Sequence, residues 1–492
     1  MALQLGCGSA NEPATRAGAH SPQDPGARIW SYDVIAGPGA SELRVVAELP
    51  RGVPAALGVD QFASPYLDDL EIATGEGWRP LQRQGERWYA PQCRERGCKL
   101  RYRYQLGQAA EQIDRFSYAA YRGGALLAPP STWLLHPQDY SGADTYRFAV
   151  KTEPGEAFVT GVWSARSHSG QGGSEFSAPA ALLFEAPYSG FGRFRSERLA
   201  AGAGVIHLSV SLGARGLGVS DEDLRATVLR ASSVVSGYFG RFPVPELSLI
   251  VLPIAGSQIF GMQLGNGGAS VLLFIGRDLR ATELAADWVI VHELLHLGFP
   301  TLQRRHLWLA EGLATYQGPI ARARAGLIAP AEVWRAFVAG MPNGQAEGAD
   351  GGLDGTSSWG RTYWGGAAFF LLLDLQIRQR SAGRLSLDDV ARAILNAGGN
   401  TGARWSVERT LSAGDSTLYE PSFSELYGEH AHGSVRVDLA ALWQKLGVQR
   451  AGDDVTLDDS AEWAELRRAV TGPAAHAAQS GLSLPGVPKS PL

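Results

Sequence analysis

The stretch Val289-Ile290-Val291-His292-Glu293-Leu294-Leu295-His296 places two histidines four residues apart, with a glutamate directly after the first. On a helix both imidazoles project from one face a turn apart, the separation that lets them reach one metal ion, so the pattern reads as a zinc site. Glu293 then stands beside that metal. A carboxylate there can take a proton from a metal-activated water and pass it to a leaving amine, which is metal-assisted amide hydrolysis. Glu293 is therefore a candidate base, and a third ligand is owed downstream, because catalytic zinc commonly keeps three protein ligands and one open position.

Glu311 is the favoured third ligand. Gly298 and Pro300 end the first helix, a second starts near His306, and Trp308-Leu309-Ala310-Glu311-Gly312 lies on it. Fourteen residues separate His296 from Glu311, enough for a turn and a short antiparallel length of helix. His306 competes for the same role. The bland alternative is a chance pattern, two histidines on the outside of an apolar helix. Against it, residues 288 to 297 are strongly apolar, and burying two histidines and a glutamate there is costly unless metal or hydrogen bonds compensate them.

The elements that must position these residues change texture along the chain. Between residues 29 and 212, short alternating segments separated by Gly, Pro and Asp predict an N-terminal β domain of sandwich-like form. In it Lys99-Leu100-Arg101-Tyr102-Arg103-Tyr104 alternates with period two, and Trp88-Tyr89-Ala90 is its expected hairpin partner. From Ser220-Asp221-Glu222-Asp223 the pattern turns helical, with Leu224, Val228, Ala231, Val235 and Phe239 recurring at three and four. Two apolar β runs, 247 to 254 and 269 to 275, follow; residues 256 to 263 read as the connection between them, and the runs predict a small mixed sheet beside the zinc helices. Residues 340 to 358 read as a loop bordering the cleft. A long apolar helix opens at Tyr363, and Ser386-Leu387-Asp388-Asp389 has the spacing of a capping box. The expected division is 1–28 signal remnant or tether, 29–212 β domain, 213–400 catalytic domain, 401–473 C-terminal helical part and 474–492 frayed tail.

Composition narrows the partners. A net charge of −5 without a Lys/Arg-rich run gives no footprint for nucleic acid. No stretch reaches the ~18 consecutive apolar residues of a spanning helix. Cys93 and Cys98 flank four residues that include Gly97, which suits a hairpin turn closed by a disulfide and hence an oxidising compartment; two reduced thiols in a cytosolic hairpin are the other reading. Leu5-Gly6-Cys7-Gly8-Ser9 looks like the end of a bacterial lipoprotein signal, with Cys7 as lipid anchor. The expected location is extracytoplasmic, in the periplasm or on the outer membrane.

Taken together these features resemble the gluzincin metallopeptidases, and most closely the glycyl aminopeptidase family, whose members join an N-terminal β domain to a thermolysin-like helical domain. The resemblance covers residues 29 to 400. It rests on His292-Glu293-x-x-His296, on Trp308-x-x-Glu311-Gly312, on Arg322-Ala323-Arg324-Ala325-Gly326-Leu327, and on the block from Tyr363 through Leu373-Asp374-Leu375-x-Ile377-Arg378 to Ser386-Leu387-Asp388-Asp389-Val390. It implies zinc held by His292, His296 and Glu311, Glu293 as base, and Tyr363 as hydroxyl donor to the tetrahedral intermediate; a phenol aimed at the oxygen that gains charge has independent physical sense. A core-packing aromatic is the alternative for Tyr363. In the related alanyl aminopeptidases a Gly-x-Met-Glu-Asn strand presents a glutamate to the substrate's free amine, whereas here Gly261-Met262-Gln263-Leu264 offers a neutral Gln263. The connection from His296 to Glu311 is shorter than the family's, and the stretch after Val435 is too short for the PDZ domain many relatives carry. The expected function is a zinc peptidase, aminopeptidase-like, with peptide substrates bound near Gly261, Met262 and Gln263; an endopeptidase, a non-catalytic binding protein on the same scaffold, or a hydrolase of another bond are the alternatives.

Overall fold

The computed structural model describes residues 28–139, 142–165, 175–184, 186–213, 216–348 and 351–472. The expected tether, the Cys7 anchor and the C-terminal tail lie outside them.

The N-terminal part is β-rich. A seven-stranded sheet runs in the order Glu175–Pro179, Thr145–Lys151, Ile29–Ala36, Leu43–Leu49, Cys98–Tyr104, Leu67–Thr74, Gly77–Pro80, antiparallel except where Ile29–Ala36 meets Thr145–Lys151. Its alternation buries Leu100, Tyr102 and Tyr104 and leaves Lys99, Arg101 and Arg103 in water, as the period-two pattern requires. Two four-stranded sheets share its core, through Leu57 and Trp88 of one and Leu126 and Phe191 of the other. Cys93 and Cys98 are disulfide-bonded. They do not close a hairpin: Pro91 starts a short helix, Pro91–Arg96, and Arg87–Tyr89 pairs with Ala56–Gly58 in another sheet, while Cys98–Tyr104 pairs with Leu43–Leu49.

The second part is built on a five-stranded sheet. Its strands are β1 (Phe194–Ala201), β2 (Gly204–Ser211), β3 (Glu246–Ile254), β4 (Ile259–Leu264) and β5 (Ser270–Gly276), in the order β1-β2-β3-β5-β4. β2, β3 and β5 are parallel, and β4 is an antiparallel edge. Residues 256 to 263, read as the connection between the two apolar runs and as the place of substrate binding, supply most of strand β4, which flanks the site. The sheet also draws in β1 and β2, so the boundary expected at 212 and 213 cuts through it; the parallel pairing of Ile206 with Leu247 joins the two sides.

Both faces of this sheet are covered, which explains why β3 and β5 are continuously apolar. Leu247, Leu249, Val251, Val271, Leu273 and Ile275 face the helices α1 (Asp221–Phe239) and α2 (Val289–Leu295). Ile250, Leu252, Leu272 and Phe274 face the N-terminal part, packing with Ala125, Leu127 and Tyr188. Helix α3 (Leu307–Arg324) carries Glu311, and α4 (Gly366–Arg380) packs against it. The residues beyond 401 share this core: Phe423, Tyr427, Leu446 and Val470 belong to one cluster with Leu309, Tyr316 and Phe369. Among the described residues no helix is long and apolar enough to cross a membrane.

Candidate active site

Helix α2 packs Ile290, Val291, Leu294 and Leu295 onto the sheet and the helices around it, which turns His292 toward α3. His296 lies just past its end, in a tight turn, His296–Gly298, that Phe299 leaves in extended form. The two imidazoles still meet, with ring centroids 4.9 Å apart and planes near perpendicular. Glu311, on α3, completes the group. His292 Nε2 is 3.3 Å and His296 Nε2 is 3.4 Å from Glu311 Oε2. The ligand-type atoms of these three residues all lie within 4.8 Å of one another.

His306 is elsewhere. Its Nδ1 lies 2.9 Å from Asp354 Oδ1, and its Nε2 accepts from Arg305 Nε, which fixes the Nδ1 proton on the Asp354 side. Asp354 also accepts from Trp308 Nε1 at 2.7 Å and from the Tyr427 hydroxyl at 2.8 Å. This clamp ties the start of α3 to the segment that leads toward Tyr363.

The two site carboxylates are driven in opposite directions. Burial raises the Glu293 carboxyl, and the neighbouring Glu311 charge adds to it against His292, giving a value of about 8. Burial also opposes the Glu311 charge, but His296 and His292 outweigh it and hold the carboxyl well below the usual range. Two histidine nitrogens and one carboxylate oxygen, converging in a pocket where all three are at least partly buried, are the donor set and number a catalytic zinc takes. The residues fit the ion.

Tyr363 sits in a π-turn, Arg361–Gly365, ahead of α4, and such turns recur at functional positions. Its ring stacks over His292 at 6.2 Å, and burial together with Glu311 and Glu293 raises its hydroxyl pKa, so it stays protonated as a donor. The close crossing of α3 and α4 brings it there. A Cβ on Gly312 would lie 2.4 Å from Gly366 Cα, so only two glycines allow this approach.

The three expected substrate-binding residues separate by the pleat of β4. A Cβ on Gly261 would fall 2.3 Å from Glu293 Cγ, so Gly261 gives the Glu293 side chain its place against the strand. Gln263 shares that face and donates from Nε2 to Thr401 Oγ1. Met262 points the other way, packing with Phe260 and Leu264 toward the N-terminal part, so its side chain does not line the pocket.

Three residues near the site were not anticipated from sequence. Trp288 and Trp359 lie four residues before His292 and Tyr363, a spacing that would have put each near its partner on a helical face. Thr401 gave no signal, since it stands 138 residues from Gln263.

No protein-family model matches the sequence, and no curated protein matches it. Solved structures do share the fold. An aminopeptidase N family protein from Idiomarina loihiensis superimposes with a TM-score of 0.65 at 15% identity, over 85% of this chain and 78% of that one. A variant of a two-domain M1 zinc metallopeptidase bound to L-arginine gives 0.52 at 14% identity, over 84% and 95%. A variant of an M1 zinc metallopeptidase from Deinococcus radiodurans, bound to a Tyr-Ser-Ala substrate, gives 0.51 at 14%, over 84% and 94%. The chain thus has the fold of the M1 zinc metallopeptidases, an N-terminal β-rich part followed by a mainly helical one.

Proposed function

We propose that this chain is a zinc-dependent peptidase. The observation that carries the reading is the convergence of His292, His296 and Glu311 within 4.8 Å, with Glu293 beside the group and outside it. His292, His296 and Glu311 would hold the zinc. When bound, the ion supplies Lewis acidity for a carbonyl and for water. Glu293 takes the proton of the attacking water and delivers it to the leaving amine; a bound cation would pull its raised pKa down toward the base form. The Tyr363 hydroxyl donates to the carbonyl oxygen as it gains charge.

The aminopeptidase-like form of this reading draws support from Gln263. With Nε2 donating to Thr401, its Oε1 is left to accept from a substrate ammonium, two residues or about 6 to 7 Å along β4 from Gly261. Residues 400 to 402 close the groove there, since Asn266 and Gly267 donate backbone hydrogen bonds to Thr401 and Gly402. The Cys93–Cys98 disulfide supports an extracytoplasmic location. Thiol alkylation of natively purified protein tests it: both cysteines labelled without reductant rejects the location.

Elemental analysis of wild type and Glu311→Gln tests the centre. About one zinc per chain, lost in the variant, is expected; full zinc in the variant removes Glu311 from the ligand set, and none in wild type overturns the enzyme reading. Cleavage of aminoacyl peptides but not their N-blocked forms, abolished by Glu293→Gln, supports the aminopeptidase form. Cleavage of blocked, internally quenched peptides assigns an endopeptidase, and silence on both favours a binding protein.

A further inference from the structure

Two tryptophans stand in solvent at the mouth of this pocket, Trp359 at 63% exposure and Trp288 at 55%. Neither is used by the chemistry above. Trp359 stacks on Tyr363 with centroids 5.2 Å apart, and Tyr363 stacks on His292, so three rings form a column leading from solvent to a candidate ligand. Trp288 meets the same imidazole edge-on at 5.4 Å. Trp288, ahead of α2, thus meets the imidazole directly, and Trp359, ahead of α4, is linked to it through Tyr363.

Two exposed indoles linked to the rings of one pocket offer apolar faces that a bound molecule can cover. Elsewhere on this surface guanidinium groups cover other exposed rings, Arg384 over Tyr419 and Arg115 over Phe62, each at 5.4 Å. Among the described residues no such cation lies over Trp288 or Trp359. The inner face of Trp359 is occupied by Tyr363, which leaves its outer face for a flat partner. An aromatic side chain of a bound peptide supplies one, because rings pack on each other in offset or edge-on contact. A guanidinium can also lie over an indole face, so arginine peptides are the competing case in the test.

Resting on the peptidase reading, we propose that Trp359 and Trp288 form an aromatic subsite, and that the peptides processed carry Phe, Tyr or Trp at a residue flanking the scissile bond.

The test uses zinc-loaded wild type, Trp359→Ala, Trp359→Phe and Trp288→Ala on two peptide series, in which the residue before or after the cleaved bond is Phe, Ala or Arg. Wild type is expected to favour Phe over Ala at one position by about tenfold or more in kcat/KM. That ratio should fall toward one in Trp359→Ala, decline in Trp288→Ala and persist in Trp359→Phe. An equal loss on every peptide in Trp359→Ala, with the ratio intact, would make Trp359 only a support for Tyr363 and overturn the subsite. Equal or better cleavage of the Arg peptides would overturn its aromatic character. Calorimetric binding of the Phe and Ala peptides to Glu293→Gln, with and without Trp359→Ala, separates the two readings. Preferential binding of the Phe peptide that needs Trp359, without cleavage by wild type, keeps the subsite and rejects the peptidase. Cleavage without discrimination does the reverse.

Discussion

Glu293 and Glu311 are two carboxylates in one pocket with opposite electrostatics, a difference that suits the roles proposed for them. Glu311 is held ionised between two histidines, as a ligand must be, whereas Glu293 is raised to about 8 and so holds a proton readily. The same division separates Tyr363, whose raised pKa keeps it a donor. Tyr363→Phe should lower kcat by about 10²-fold, with KM and zinc content little changed, the signature of a contact made in the transition state. Gly261→Ala should lower kcat by about tenfold or more while zinc stays bound, because the added methyl must displace Glu293 and no ligand moves. Loss of zinc in Gly261→Ala would show instead that the strand supports the ligands. The convergence of His292, His296 and Glu311 was legible in sequence because the two histidines stand at helical spacing and Glu311 follows close in the chain. The engagement of Gln263 by Thr401 was not, since no local pattern reports a hydrogen bond made across 138 residues.

At the scale of elements, the site depends on two junctions. One is the contact of Gly312 with Gly366, where α3 and α4 cross without side chains between them. Gly312→Ala would gain helix propensity locally, about 1 kcal/mol, yet must push α4 away and take Tyr363 with it. Net destabilisation in urea and a fall in kcat are the expected outcome; a stabilised, fully active variant would show that the crossing is slack. The other junction is Asp354, which gathers His306, Trp308 and Tyr427. Burial opposes its charge, but the three hydrogen bonds prevail and lower its pKa. A carboxyl depressed in the folded state adds stability that is complete above its unfolded pKa and disappears as pH falls through the folded one. Asp354→Asn should therefore cost about 1 to 3 kcal/mol at pH 7, with the gap to wild type closing as pH drops below about 4. Urea unfolding at both values measures it, and a gap unchanged in acid would deny the ionised clamp. Helices at this scale were readable from periodicity and caps: Ser220 accepts from the Asp223 amide, and the Ser386 box forms. The π-turn at Tyr363 and strand β4 were not, because a five-residue turn has no repeat and the apolar residues of β4 are flanked by glycines that read as connection.

For the molecule as a whole, the N-terminal β part is more than an attached neighbour. Alternation along β4 puts Gly261 against Glu293 and Phe260 against Phe274, which is fully buried and also contacts Phe116 from the N-terminal side. The same strand is therefore seated by the N-terminal part on one face and packs against Glu293 on the other. A β-rich half ahead of a helical half could be read from texture, but the reach of the sheet back to Phe194 could not, since the pairing of β2 with β3 spans the whole of α1. The arrangement predicts that a cavity at this junction reaches the chemistry. Phe274→Ala and Phe148→Ala remove equal side chains from buried positions, the second within the N-terminal sheet. Each should cost about 3 to 5 kcal/mol in urea unfolding. At a temperature where both remain folded, kcat should fall in Phe274→Ala alone, because only that cavity loosens the strand under Glu293. Unchanged kcat in both would mean that the N-terminal part holds the catalytic sheet together without setting the position of the base.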